Sequence, residues 1–211
     1  MEEFRTFLSS YSTRTYAAGE IILHQEEVPS HMFVIKSGAV RNYDITPDGT
    51  EKPLMFDRQD EMFPIGWLFG LISESVYFYE AYTATEVYLV PRGDLQAFFL
   101  HYPDSQYALF RMMVARMLDM QIRFLALQQN RARDKLLHTL KFLIARWGRV
   151  PSNEQTEIDL PLTQQELANF TGLTRETVTI ELKRLQAEGI ISLKARRYTV
   201  NSERLHAILE H

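Results

Sequence analysis

The side chains best spaced to do chemistry lie between residues 160 and 200. Arg175, Glu176 and Thr179 stand at the start of a run, 175–188, that carries Val178, Leu182 and Leu185 on one helical face. A guanidinium donates two parallel hydrogen bonds to a guanine edge. A carboxylate accepts from cytosine N4–H, and a threonine hydrogen-bonds or touches a thymine methyl. Gathered at one helix end, these groups suit reading base edges in a major groove. Gln165, Lys183, Arg184, Lys194, Arg196 and Arg197 surround them, with the hydroxyls of Thr163 and Thr174. Such groups bind phosphate oxygens, which fix position and carry no sequence information. The competing reading is a helical module whose exposed Arg and Glu only pair with each other, or whose surface docks a protein.

The elements needed to position these groups are legible around them. Thr163-Gln164-Gln165-Glu166 is a capping box: the Thr hydroxyl accepts a free backbone N–H and the Glu reaches back. Leu167, Ala168 and Phe170 supply the apolar side of a short helix. Gly172 then permits the positive φ of a tight turn, and Leu173 anchors that turn. Thr174 caps the second helix and Gly189 ends it. Residues 190–193 and 198–200 flank Lys194-Ala195-Arg196-Arg197, a hairpin with a cationic tip. Helix, turn, helix and hairpin make a winged helix-turn-helix.

Upstream the periodicity changes twice. From 104 to 127 there is no Pro or Gly, and Phe110, Met113, Met117, Met120, Phe124 and Leu127 follow a 3,4 spacing. That is a heptad seam suited to pairing with a second helix. Val114, Leu118, Ile122 and Leu125 form a second line beside it, so the helix either faces both its own chain and a partner or presents one wide buried face. Asn130 is placed to cap a further helix over 131–146 that ends at Gly148, and 151–159 reads as a polar loop. Residues 15 to about 100 read as β-structure, with runs at 20–23, 31–36, 39–45, 51–56, 61–65 and 81–90. Gly19, Ser37-Gly38 and Pro47-Asp48-Gly49 punctuate them. The expected class is α+β: an antiparallel, jelly-roll-like β-roll over 1–103, a long dimerisation helix over 104–129 and the winged module over 130–211.

Composition narrows the function. There is no cysteine among 211 residues, which removes disulfides, thiolate metal sites and iron–sulfur clusters. No two of the six histidines have the i,i+4 spacing of a helical metal site. His24 and His31 could meet across a hairpin beside Glu26 or Glu27, but surface histidines are the simpler reading. No metal and no cofactor is expected. The longest apolar run, 62–72, is 11 residues and contains Pro and Gly, too short to span a bilayer. With the acidic, polar opening MEEFRTFLSS, the expectation is a cytoplasmic protein away from membranes. No phosphate loop or nucleophile elbow is present, so no enzyme is expected. Charge is uneven: residues 1–100 carry 7 Lys/Arg against 15 Asp/Glu, whereas 101–159 carry 9 against 6 and 160–200 carry 6 against 4. The basic second half fits a polyanion partner.

The stretch LTQQELANFTGLTRETVT, from Leu162 to Thr179, resembles the helix-turn-helix of the Crp/Fnr family of bacterial transcription regulators. Gly19-Glu20-Ile21-Ile22 and the run from Met32 to Arg41 resemble that family's N-terminal β-roll, and the seam helix falls at its dimerisation helix. The resemblance implies a homodimer on double-stranded DNA, one recognition helix per half of an inverted repeat, and RNA polymerase as a further partner of an activator. It also implies two departures. Where many members have a second Arg five positions after the Arg175 equivalent, this chain has Ile180. Ile180 either touches a thymine methyl or packs inward and reads nothing. Cyclic-nucleotide-responsive members hold ribose and phosphate through Gly-Glu and Arg-Ser elements, which align here with Pro64-Ile65 and Ser75-Val76; their Thr-Ser on the dimer helix aligns with Met120-Gln121. Independently of that alignment, residues 59–91 contain no Lys or Arg, against Asp60, Glu61, Glu74, Glu80 and Glu86. A phosphate would find no guanidinium there, so no cyclic-nucleotide response is expected. Phe63, Trp67, Phe69, Tyr77, Phe78 and Tyr79 crowd the same region. They form either an uncharged or aromatic small-molecule effector site, with Arg116 as polar contact, or the roll's own core.

Overall fold

A computed structural model describes residues 2–152 and 155–209. The chain forms two compact units, one up to Met113 and one from Val114 onward. In the first unit, α1 (Glu2–Leu8) precedes β1 (Thr13–Tyr16), β2 (Ile21–Leu23), β3 (Met32–Ser37), β4 (Val40–Ile45), β5 (Glu51–Asp57) and β6 (Met62–Phe63). Then come α2 (Ile65–Leu68), β7 (Phe78–Ala81), β8 (Thr85–Val90), α3 (Arg92–His101) and the first half of α4 (Pro103–Gln128).

Two four-stranded antiparallel sheets, ordered β1-β8-β3-β6 and β2-β7-β4-β5, make the roll. Strand β3 shows why its sequence is continuously apolar. Side chains alternate across a strand, and here both faces are covered. Phe33 and Ile35 point into the core between the sheets, with Tyr16, Leu23, Val40, Phe63, Tyr79 and Val87. Met32 and Val34 point the other way, into a second core with Phe4, Leu8, Leu68, Leu95, Phe98 and Leu109. Strand β6 splits likewise, Met62 to one core and Phe63 to the other. At the β4–β5 hairpin, Gly49 takes φ 80°, as the Asp48-Gly49 pair predicts.

Some boundaries differ from the sequence reading. Of the strand expected over 81–90, only 85–90 forms one, β8; Ala81 ends the separate strand β7, and a bend lies between them. The run expected at 61–65 shortens to β6 because α2 begins at Ile65.

The second unit holds the rest of α4, then α5 (Ala132–Trp147), β9 (Gly148–Ser152), β10 (Gln155–Ile158), α6 (Gln164–Thr171), α7 (Arg175–Ala187), β11 (Ile191–Lys194), β12 (Arg197–Asn201) and α8 (Ser202–Leu209). Asn130 is not the cap of α5; Arg131 holds that position, without a side-chain cap bond. The polar stretch expected to be a loop after Pro151 is instead mostly a hairpin, with Asn153 and Glu154 outside the described residues. Strand β10 pairs with β9 and β12, giving a sheet ordered β11-β12-β10-β9. Thr156 and Ile158 are buried and alternate with the more accessible Gln155 and Glu157, so the burial has period two although the composition is polar.

Candidate nucleic-acid interface

The two helices that carry the candidate reading groups are fixed at both ends. Thr163 Oγ1 accepts from the Glu166 backbone N–H at 3.1 Å, and Glu166 Oε2 accepts from the Thr163 N–H at 2.6 Å, completing the capping box. At the other end of α6, Gly172 adopts φ 67° and lets the chain turn directly into α7. Thr174 Oγ1 then accepts from the Thr177 N–H at 3.2 Å. Val178, Leu182 and Leu185 of α7 are buried with Leu167, Ala168 and Phe170 of α6, which leaves one face of α7 open.

That face holds the expected base readers. Arg175 and Glu176 are exposed. Ile180 is 51% exposed, so it does not pack inward; it falls in line with Glu176 and Lys183 at a spacing of four and three. Thr179 is half-buried, and its Oγ1 lies 2.6 Å from Gln164 Oε1 and 2.8 Å from the Arg175 carbonyl. Its hydroxyl proton is thus taken up within the module. Gln164, absent from the expected set, is the partner that orients it. Its place at the first position of α6, next to the Thr163 cap, was the available signal.

The expected phosphate contacts divide. Lys183, Lys194 and Arg196 are exposed and, with Arg175, carry no ion pair among the described residues. Gln165 is exposed and donates to Asn169 Oδ1 at 2.8 Å. Arg184 is engaged by the buried Glu181, Nη1 to Oε1 at 2.6 Å, one turn back. Arg197 is not free either: it pairs with Glu157 at 3.2 Å and with Asp159, and these carboxylates raise its pKa. Sequence spacing gave no hint of this, because both carboxylates come from the hairpin region read as a loop.

The wing tip is a two-residue turn. Lys194 pairs with Arg197, and Ala195 and Arg196 sit at φ 49° and 65°. Both are left-handed, the twist that a tight hairpin requires. The Arg196 carbonyl accepts from the Leu162 N–H at 3.0 Å, which ties the tip to the entry of α6. Leu162, Thr163, Gln164, Gln165, Arg175, Leu193, Arg196 and Tyr198 thereby line one groove between helix starts and wing.

The expected seam residues of α4 all stand outward. Phe110 is the most exposed and Leu127 the least, at 61% and 36%. Of the second line, Leu118, Ile122 and Leu125 are exposed as well, whereas Val114 is half-buried.

The aromatic region of the roll separates into two groups. Phe63 stacks between Phe33 and Tyr79, with centroids at 5.2 and 4.4 Å, and all three are core. Trp67 packs against the outer core beneath the Arg92 guanidinium. Phe69 and Tyr77 are partly exposed. Phe69 lines an apolar groove of about 820 Å³ with Leu71, Leu100, Tyr107 and Phe110. Phe78 stacks on Tyr43 at 5.3 Å. Arg116 is half-buried on α4, in the second unit. At the positions aligned with the phosphate-holding element, the Ser75 hydroxyl donates to the Tyr77 carbonyl at 2.7 Å, and the Ser75 backbone exchanges hydrogen bonds with Glu26 and Glu27. Among the described residues, no group of three or more His, Asp or Glu is placed to hold a metal. No helix there is long and apolar enough to cross a membrane.

Comparison with known proteins agrees with this architecture. Residues 13–102 match the model of the cyclic nucleotide-binding domain, and 134–208 that of the Crp-like helix-turn-helix domain. The nitrogen fixation regulation protein FixK of Azorhizobium caulinodans is 30% identical over 192 residues, which span 90% of this chain and 75% of that one. The transcriptional activator protein FnrA of Stutzerimonas stutzeri is 26% identical over 191 residues, 89% of this chain and 75% of its own. The structure of FixK2 from Bradyrhizobium japonicum superposes with a TM-score of 0.76 at 25% identity, covering 93% of this chain and 96% of that one.

Proposed function

The chain belongs to the Crp/Fnr family of DNA-binding transcription regulators, and from that premise we propose that it acts as a cytoplasmic homodimer on an inverted-repeat operator. Residues 104–129 pair two copies, residues 130–211 place one α7 in each half-site, and residues 1–103 form the sensor-type domain. Arg175, Glu176, Ile180 and the Thr179 methyl read base edges. Lys183, Lys194, Arg196, Gln165 and the two cap threonines hold phosphates, with Arg184 and Arg197 contributing only where DNA competes with their carboxylate partners. Where the protein activates, RNA polymerase is its further partner. Its work is binding and not catalysis.

What carries this reading is the division of α7: one face is buried on α6, and the opposite face presents Arg175, Glu176, Ile180 and Lys183 to solvent. The test is the salt dependence of binding to a duplex selected from random sequence. Each phosphate neutralised contributes a slope of about 0.9 in log affinity against log salt. A slope of several units supports a DNA reader, and a flat response with no sequence preference would transfer the surface to a protein partner.

The roll works without a cyclic nucleotide. Its interior is filled by the Phe33, Phe63 and Tyr79 stack, Ser75 is engaged within its own loop, and residues 59–91 offer no cation to a phosphate. Calorimetry with cyclic AMP and cyclic GMP should give no binding heat; tight binding of either would refute this. An uncharged effector would have to use the open groove at Phe69 instead of the roll interior.

A further inference from the structure

Helix α4 has a third line of side chains that the apolar pattern conceals. Ser105, Leu109, Met112, Arg116, Asp119, Arg123 and Ala126 are spaced by four and three, and all are buried or half-buried; the Asp119 side chain is 24% exposed. In the first unit this line is largely apolar, with Leu109 and Met112 packed in the outer core. In the second unit it becomes charged. Asp119 Oδ2 accepts from Arg146 Nη1 at 2.6 Å, and the Arg146 side chain, in the last turn of α5, is only 3% exposed. One turn further along α4, the Arg123 guanidinium carbon lies 3.4 Å from the ring centroid of Phe170 in α6. Phe170 is itself buried against Phe142 of α5. Desolvation pushes Arg123 down to about 9, still protonated at neutral pH.

Burying these charges carries a desolvation penalty that aliphatic side chains would not. What they add is direction. Apolar contact is non-directional and tolerates sliding, whereas a short ion pair and a face-on guanidinium stack each hold one geometry. They grip α5 and α6, the first two helices of the DNA-reading module.

We propose that Asp119, Arg123 and Arg146 are positioning residues that fix the angle at which the helix-turn-helix is carried on α4, and thereby set the half-site spacing the dimer accepts. This rests on the dimeric operator reading above.

The probe is the tightest inverted repeat that the wild-type chain recovers from random duplex, together with versions carrying one base pair more or less between half-sites and a lone half-site. One base pair turns a half-site by about 34° and moves it about 3.4 Å. The wild type should lose roughly tenfold or more in affinity on either change. Asp119→Asn and Arg123→Leu should bind the lone half-site as the wild type does, but lose only about threefold on a spacing change. If Asp119→Asn fails to fold, Arg123→Leu still decides the matter, because it replaces the cation by an apolar body against Phe170. A second readout uses the absence of native cysteine. Spin labels at Gln121→Cys and Gln186→Cys, on labelled chains diluted in unlabelled chain, should give a narrow distance distribution that Arg123→Leu broadens. A wild type that recovers no inverted repeat sinks the dimeric reading and this one with it. A sharp wild-type spacing preference that the folded variants share, or an unbroadened distribution, overturns the positioning role alone.

Discussion

Replacing Met117 by Glu should separate the dimer. Met117 stands midway along the outward line of α4 and is 52% exposed in the protomer. Full burial of an apolar side chain of this size contributes about 1.5–3 kcal/mol, so covering its open half contributes roughly 1 kcal/mol per copy. In the proposed two-fold dimer both copies of position 117 meet at the same level of the seam. The substitution therefore removes about 2 kcal/mol of burial and places two carboxylates opposite each other, at a desolvation penalty of several kcal/mol per ion. A total of about 5 kcal/mol or more raises the dimer dissociation constant by three to four orders of magnitude. Sedimentation velocity across a nanomolar to micromolar series reads this directly. Met117→Leu, which keeps volume and polarity, should cost below about 1.5 kcal/mol and leave the dimer intact. A Met117→Glu chain that stays dimeric with less than a tenfold shift would show that the outward line is not the seam.

Three further outcomes follow from the interface and the core. Arg175→Ala should relax discrimination at one base pair by about 1–3 kcal/mol, whereas Lys194→Ala should weaken all sequences alike and lower the salt slope by about one; identical behaviour in a competition assay would contradict the division into base and phosphate readers. Ile180→Arg puts a two-pronged donor on the exposed face of α7 and should create a guanine preference at one position of the selected half-site, an unchanged preference counting against Ile180 facing DNA. Burial pushes Tyr43 and Tyr198 up to about 12, so both stay protonated in the folded protein after an unfolded chain has released its protons near 10. Stability should thus be insensitive to these groups below pH 9 and fall as pH rises through 10 to 12. An ultraviolet phenolate titration with every tyrosine ionising near 10 in the folded state would contradict it.

The helix-turn-helix was legible because its signals are local: a capping box at Thr163, a left-handed glycine at 172 and a capping threonine at 174 each act within four residues. The outward apolar line of α4 was legible for the same reason, since a 3,4 spacing needs no knowledge of what lies opposite. The β9–β10 hairpin was hidden because polar residues and Pro151 mask the alternation of Thr156 and Ile158, which is recognisable only once β12 is beside them. The inward line of α4 was hidden by a different mechanism. Arg116, Asp119 and Arg123 look like a solvated face, and only tertiary partners such as Arg146 and Phe170 mark it as an inner one. Phe63 and Tyr79 belong to different sheets, so their stack could not be distinguished from an effector cage by composition. The place of Thr179 near the start of α7 was legible, but not the hold that Gln164 has on its hydroxyl.

Sequencing the duplexes that the full chain retains from a random library, at physiological salt, tests the central claim most directly. Two α7 helices held by paired α4 rods should enrich an inverted repeat whose half-site centres lie one helical turn apart, about 10–10.5 base pairs, or a whole multiple of it. Recovery of no motif, or of a single half-site without its inverted mate, would contradict the account.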